Sequence, residues 1–443
     1  MRDKQRRALT EIHLAGLRAV EPENAVKVHL RRSGNDLHVG ERSYALDDFE
    51  RIILVGAGKG AAPMAKAVED VLGDRLAAGW ITVKYGHGLS LKKTHVMEAG
   101  HPIPDEAGLE ATRTLLARLG ECSEHDLVVG VFSGGGSALL PAPCPAVSLE
   151  EKKEITRLLL ECGASIDEIN AVRKHLSRSK GGGLAKAAHP ATVVSLLLSD
   201  VIGDRPDVIA SGPTAPDVST FADALEIIER YGLTGKISTN VLGRLNDGAA
   251  GRLEETPKPG DPLFAGLLNL VVGNNRAALN AAADRARALG FHTLVLSSGI
   301  RGEAREVAKV FAAVGREVIE AGHPVAAPAC ILSGGEPTVT VRGPGKGGRS
   351  QELALAFAIA VDGLDRLALL AAGTDGTDGP TDAAGAFADG HTCSRALRLG
   401  LIPREFLARN DSYNFFAPID QLFKTGPTRT NVMDLFCLIV DRE

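Results

Sequence analysis

Chemistry in this chain is foreshadowed wherever a lysine or arginine stands among glycines. The stretch 333–352 reads Ser-Gly-Gly-Glu-Pro-Thr-Val-Thr-Val-Arg-Gly-Pro-Gly-Lys-Gly-Gly-Arg-Ser-Gln-Glu. It follows an apolar run, Ala329 to Leu332, and its end opens a helix near Ser350. Glycine lets backbone N–H groups approach an anion, a helix N-terminus adds partial positive charge, and Lys346 and Arg349 add full charges. Ser333, Gly334, Gly335, Glu336, Lys346 and Gly347 are the phosphate-binding candidates here. A second such place is Gly56-Ala-Gly58-Lys59-Gly-Ala61, between strand Ile52 to Val55 and a helix from Ala62 to Leu72. A third is Ser133-Gly134-Gly135-Gly136-Ser137, after the apolar strand Leu127 to Phe132. Loops at the carboxyl ends of buried strands are where doubly wound sheets bind ligands. Each loop also reads as a tight turn with no ligand.

The Gly56 loop meets the glycine part of the dinucleotide fingerprint. That fingerprint also needs an acidic residue about twenty positions on, to hold a ribose hydroxyl. The next strand, Trp80 to Val83, ends in Lys84 instead, which favours a phosphate or carboxylate site over a nicotinamide site. Further cations gather at Asn170, Arg173 and Lys174, with Lys180 before a glycine triplet. Strand Thr192 to Leu198 delivers Asp200 and Asp204, carboxylates able to hold magnesium or accept a proton from an alcohol; Asp207 reads as a helix-cap turn. His101 and Asp105 lie in a Pro-rich turn and can face a cleft. The turn after Leu367 to Ala372 places Asp375, Asp378 and Asp382 close together. Asp375 and Asp378 are the metal candidates, although the Glu that completes an EF-hand loop is missing. No G-x-x-x-x-G-K-[ST] motif exists, since Lys346 is followed by Gly347, and no protein-kinase catalytic loop is found.

These loops need a large scaffold, and 443 residues with 44% hydrophobic content supply two or three domains of ordinary globular α/β composition. Strand–helix alternation continues throughout, so both halves are α/β, the first with a mostly parallel sheet. The polar stretch Asp247 to Pro262 marks a boundary, giving domains 1–250 and 251–425, with 426–443 joining the first. Leu267 to Val272 restarts the second half, Thr293 to Leu296 follows, and Leu435 to Val440 is a closing strand. Net charge is −5 with Lys and Arg dispersed, which excludes a nucleic-acid footprint. Six cysteines without C-x-x-C spacing read as buried thiols in a reducing, cytoplasmic compartment. No apolar run reaches the roughly 18 residues a membrane helix needs. Met1 to Val20 reads as an amphipathic helix rather than a transit peptide, because Asp3 and Glu11 interrupt its basic residues.

Seven ordered motifs resemble the class II glycerate kinases, the glycerate 2-kinase family with a C-terminal MOFRL-type domain. They are Gly56-Ala-Gly-Lys-Gly-Ala-Ala-Pro-Met-Ala, Gly100-His-Pro-Ile-Pro-Asp, Phe132-Ser-Gly-Gly-Gly-Ser-Ala-Leu, Leu198-Ser-Asp-Val-Ile-Gly-Asp, Ser333-Gly-Gly-Glu-Pro-Thr-Val-Thr-Val, Gly347-Gly-Arg-Ser-Gln-Glu and Gly373-Thr-Asp-Gly-Thr-Asp-Gly. The resemblance implies two α/β domains, the first Rossmann-like, flanking a deep cleft, and transfer of the γ-phosphoryl of ATP, with Mg2+, to D-glycerate. It points to Lys59, Asp200 or Asp204, and Arg349 as catalytic. Lys59 and the Ser133 loop would hold anionic groups, Lys346 and Arg349 would meet the transferring phosphoryl, and Asp375 or Asp378 would help hold magnesium. The expected partners are D-glycerate and ATP, with no nucleic acid or membrane, for a monomer or homodimer. Two other classes stay open: an NAD(P)-dependent hydroxypyruvate reductase, and a non-catalytic sugar-acid or nucleotide-binding protein.

Overall fold

Apolar runs flanked by helices on both faces have one economical solution, a parallel sheet, and residues 22–272 adopt it. The computed structural model describes residues 1–442. It divides them into two units, residues 22–272 and residues 1–21 together with those from 273 onward.

The unit of residues 22–272 begins with a small antiparallel sheet, β1 (Leu30–Ser33), β2 (Asp36–Val39) and β3 (Arg42–Ala45). Its main sheet holds β4 (Arg51–Ala57), β5 (Leu76–Lys84), β6 (Thr94–Ala99), β7 (Asp126–Phe132), β8 (Thr192–Leu198) and β9 (Leu268–Gly273). The order is β6-β5-β4-β7-β8-β9, and the pairs β5/β6, β4/β5, β4/β7 and β7/β8 are parallel. From β4 the chain first builds outward through β5 and β6, then returns to add β7 and β8 on the other side. That reversal between β4 and β7 is the switch point at which open α/β sheets bind ligands. The register Ala57↔Phe132 brings the two carboxyl ends level. Beside the sheet, helices Leu149–Glu161, Ile166–His175, Phe221–Arg230 and Thr239–Ala249 share a separate apolar core around Ile155, Val172, Phe221 and Leu245. The helix Ile166–His175 starts where Ser165 and Glu168 form a reciprocal capping box, and its last turn carries Arg173 and Lys174.

The other unit is built on β10 (His292–Ile300), β11 (Ala329–Gly335), β12 (Leu367–Gly373), β13 (Gly385–Asp389), β14 (Leu422–Phe423) and β15 (Asp434–Val440). Their order is β10-β11-β15-β12-β13-β14. Only β10 and β11 pair in parallel; β15 runs antiparallel to both its neighbours, β11 and β12. Helix Asp3–Ala19 belongs to this unit. Its buried face includes Leu9, Ile12 and Leu17, Gln5 Nε2 donates to Asp441 at 2.9 Å, and Thr430 Oγ1 donates to Val20 O at 2.7 Å.

The division therefore differs from the expected 1–250, 251–425 and 426–443. The segment after 426 does not join the first sheet: every residue of β15 is buried, a condition that a central position between β11 and β12 meets. Leu268–Gly273 closes the first sheet instead of opening the second. The alternating Thr338 to Arg342 segment forms no strand beyond one bridge, Thr338 to Glu303, and Val341 is 74% exposed. Sequence reading passed over β1–β3, because their residues alternate weakly and carry many charges.

One buried group sets a pH dependence. His13, on helix Asp3–Ala19, is 1% exposed, packs edge-on against Phe423, and has no hydrogen-bond partner on either ring nitrogen. Burial lowers its pKa to about 4. The unfolded chain, with an ordinary imidazole, then binds the proton more readily, so stability is lost as pH falls from about 6.5 to 4. The His13→Leu variant should recover about 2 kcal/mol of this loss at pH near 5. Thermal midpoints near pH 7.5 and 5 check this; an unchanged difference between them would exclude His13 as the source.

Candidate active site

The turns that leave β4 and β7 are laced together by their backbones. Ser133 N–H donates to Ala57 O at 3.1 Å and Lys59 N–H to Gly134 O at 2.9 Å. Gly60 N–H donates to Ser133 Oγ at 2.9 Å. Gly58 makes this approach possible: its φ is +138°, and a Cβ there would lie 2.1 Å from Ser133 Oγ. Lys59 thus sits at the start of helix Ala61–Leu72, whose N-terminus attracts anions. Gly135, at φ +86°, leaves room that a Cβ would fill 2.9 Å from His101 Nε2 and 3.5 Å from Lys59 Cγ. His101 is held neutral, its pKa lowered to about 4 by burial and then by the charges of Lys59, Lys84 and His87. Positive charge accordingly gathers around this glycine loop. Asp105 does not join it; its carboxylate accepts from Gly108 N–H and caps helix Glu106–Leu119.

The far end of the same loop meets a second set of cations. Ser137 Oγ accepts from Arg173 Nη2 and from Lys180 Nζ at 2.9 Å, while Ser137 O accepts from Lys180 Nζ at 2.6 Å. With two cations on its oxygen, Ser137 is left to donate to Ser211 Oγ, 2.8 Å away, which donates to Asn170 Oδ1 at 3.0 Å. The turn presenting Ser211 holds two non-glycine residues in the left-handed region, Ala210 at φ +51° and Ser211 at φ +62°. Such conformations persist only where surrounding structure imposes them. Burial lowers the Arg173 guanidinium to about 10 and the Lys180 ammonium well below its ordinary range. Asp200 and Asp204 lie in the turn leaving β8, at the same end of the sheet, with Asp204 left-handed at φ +53°. Lys174 belongs elsewhere: its ammonium is 3.1 Å from the buried Asp217 carboxylate, so a structural ion pair replaces the expected substrate contact.

In the other unit the expected phosphate cradle is filled by the protein itself. Asp378 accepts Ser350 N–H at 3.1 Å and Gln351 N–H at 2.8 Å, capping helix Arg349–Ala360 from a distant turn. Gly348 permits this, since a Cβ there would lie 2.2 Å from Asp378 Oδ1, and a Cβ at Gly347 would lie 2.2 Å from Ser412 Oγ. Burial and the neighbouring Asp434 raise Asp378 to about 7, against the pull of those two N–H donors. Both its oxygens accept backbone N–H groups, so Asp378 serves as the cap of this helix. Asp375 accepts from Thr377 N–H and Oγ1, both at 3.0 Å. Asp382 pairs with Tyr413 and Lys424. Among the described residues no group of three His, Cys, Asp or Glu side chains is placed to hold a metal ion.

Ser333, Gly334 and Gly335 stay inside β11 instead of forming a loop, with Ser333 Oγ donating to Ser297 O. Arg349 grips Asp434 through Nε at 2.6 Å and Nη2 at 3.0 Å, and Glu336 through Nη1 at 2.6 Å. Lys346 Nζ rests over the Tyr413 ring, 4.2 Å from its centroid. Of the cations expected to meet a phosphoryl group, Arg349 is therefore clamped on two carboxylates and Lys346 is stacked on an aromatic face. Sequence reading missed Asp434, Asp217 and Ser211 as partners. It noted Lys180 only as one of a basic run, and the glycine triplet after it was the available signal.

Breaking the Lys174–Asp217 pair tests its structural role. Lys174→Met leaves a carboxylate buried without its ammonium and should cost about 3–5 kcal/mol of unfolding free energy, measured by denaturant titration. A loss below about 1 kcal/mol, typical of exposed pairs, would return Lys174 to the list of binding residues.

Residues 8–246 match the family described as a domain of unknown function, DUF4147, and residues 329–434 match the MOFRL family. A D-glycerate 2-kinase from Thermotoga maritima is 42% identical, with 96% of each chain covered. A protein of Agrobacterium vitis provisionally named hydroxypyruvate reductase is 43% identical over 88% of this chain and 87% of its own. The crystal structure of a glycerate kinase from Thermotoga maritima superposes with a TM-score of 0.88 at 41% identity, covering 99% of this chain and 100% of that one. Matched over nearly its whole length by such relatives, and carrying both domains in order, the chain belongs to the glycerate 2-kinase family.

Proposed function

We propose that this protein is an ATP-dependent kinase that transfers the γ-phosphoryl group to the 2-hydroxyl of D-glycerate, giving 2-phospho-D-glycerate and ADP. The observation that carries this reading is the 42% identity to a D-glycerate 2-kinase across 96% of both chains. The chemistry of the residues supports it. Phosphoryl transfer needs positioning and charge neutralisation more than covalent chemistry, and the glycine turns of Lys59 and Ser133 to Ser137 offer backbone donors and cations at a sheet switch point. Lys59 neutralises charge developing on the transferred group. Asp200 or Asp204 orients the acceptor hydroxyl or takes its proton.

Arg349 contributes through one exchangeable arm. Its Nε and Nη2 hold the buried Asp434, whereas the Nη1 contact joins groups that are 31% and 49% exposed. An exposed ion pair of this kind holds with less than about 1 kcal/mol, so a phosphoryl oxygen can displace Glu336 while Asp434 keeps the fork aimed. Magnesium is assigned to the co-substrate as the ATP complex, since Mg2+ is commonly held by substrate phosphates with one or two carboxylates. Asp375 is the protein candidate in that turn to help hold the ion.

The reductase reading has one finding in its favour, the Agrobacterium vitis relative. Against it stands Lys84 at the end of β5, where a ribose-binding carboxylate would be needed.

Incubation with ATP, magnesium and D-glycerate, followed by phosphorus NMR, should show a new phosphomonoester on C2. A product on C3, or oxidation of NADH by hydroxypyruvate without phosphoryl transfer, would overturn the assignment. Lys59→Ala should lower kcat roughly a hundredfold or more. Arg349→Lys should lose most of the activity, because a lysine ammonium lacks the planar fork that holds both Asp434 oxygens while a third N–H points elsewhere.

A further inference from the structure

Three cations of the 22–272 unit stand close together with no carboxylate paired to them among the described residues. Lys180 is 2% exposed and Lys152 6% exposed. Arg173 lies beside them, and the three charges disfavour one another. Arg173 and Lys180 find the oxygen of Ser137, a neutral hydroxyl. Lys152 Nζ, contributed by helix Leu149–Glu161, finds no hydrogen-bond partner at all. The contrast with Lys174 is direct: beside Arg173 on helix Ile166–His175, that ammonium has the buried Asp217 carboxylate at 3.1 Å. Buried charge is ordinarily paired. A protein that builds a pair for Lys174 and none for its three neighbours leaves the counter-charge to come from outside.

The position of this cluster limits what that anion is. Ser137 is two residues from Gly135, and Gly135 touches the space of Lys59 Cγ. Two residues of chain span at most about 7 Å, so Arg173 and Lys180 meet the same short loop that the Lys59 side chain flanks. A short acid that carries its carboxylate next to the hydroxyl being modified has that length. The planar fork of Arg173 matches a carboxylate's two oxygens, whereas the glycine turns at the other end of the loop offer backbone N–H groups suited to phosphate.

We propose that Arg173 and Lys180, backed by Lys152, are the seat of the acceptor's carboxylate, and that they confine the enzyme to short 2-hydroxy acids. This inference rests on the kinase reading for the identity of the acceptor, but the site makes a binding claim that can be measured separately. Lys152 and Lys180 thereby become specificity residues, a role that neither the glycine motifs nor the Asp-rich turns supply.

The test combines thermal midpoints with kinetics on the full-length protein and its Arg173→Met and Lys180→Met variants. D-glycerate should raise the midpoint of the parent, and glycerol, the same skeleton without a carboxylate, should not. Both variants should fold, with Lys180→Met at least as stable as the parent without ligand, because a buried unpaired charge has been removed. Both should lose the D-glycerate shift, and kcat/KM for D-glycerate should fall about thirtyfold or more, while KM for ATP stays within about threefold. The proposal is overturned if the parent shows no response to D-glycerate, if either variant keeps the shift, or if ATP binding weakens in place of glycerate binding. A parent that binds D-glycerate through these residues yet never turns it over with ATP would sink the kinase reading and leave the carboxylate seat standing.

Discussion

Backbone lacing between two glycine turns is the constraint on which the candidate site of residues 22–272 depends. Strands β4 and β7 end level, and three hydrogen bonds tie Ala57, Lys59 and Gly60 to Ser133 and Gly134. None of these bonds involves the Lys59 side chain or a ligand. The lacing fixes where Lys59 and Ser137 emerge from the two turns. Glycine at 58 is required by contact as well as by torsion, because any Cβ would occupy the place of the Ser133 hydroxyl. The same hydroxyl then stabilises the start of helix Ala61–Leu72 by accepting Gly60 N–H.

The two units treat similar sequence features in opposite ways. Both contain Ser-Gly-Gly after an apolar strand and a glycine-rich run before a helix. At Ser133 the chain leaves the sheet and forms a loop; at Ser333 it stays in β11, paired to β15 through Gly335. At the start of helix Ala61–Leu72 Gly60 N–H meets a neutral hydroxyl, that of Ser133, whereas helix Arg349–Ala360 receives the Asp378 carboxylate across its N-terminus. A carboxylate from the protein satisfies donors that a phosphate would otherwise meet. The glycines at 347 and 348 therefore serve close internal packing against Ser412 and Asp378.

Much of the first unit was legible in the sequence for a physical reason. Fully apolar runs such as Leu127 to Phe132 report burial on both faces, and the loops that follow them must lie at a sheet end. Lys59, Gly58 and Ser133 were readable because strand, turn and helix are consecutive. What could not be read were pairings between distant segments. Asp434 lies 85 residues from Arg349, and Asp217 lies 43 from Lys174. Nothing local distinguishes an arginine that waits for a ligand from one that already has a carboxylate. The domain division failed for a similar reason: the linker composition at 247–262 is genuine, but β9 follows it and still belongs to the earlier sheet.

The placement of β15 also bears on how the chain is made. Synthesis proceeds from the first residue, and domains tend to fold as units while the ribosome is still working. Every segment of the 22–272 unit is available once β9 has emerged. The other unit has a sheet in which Asp434–Val440, the last of its strands in chain order, lies between β11 and β12, so those two strands cannot be bridged until it has been made. Helix Asp3–Ala19 precedes every strand of that sheet in the chain and yet belongs to the same unit. Its apolar face therefore stays without that sheet as a partner until Asp434–Val440 has been made.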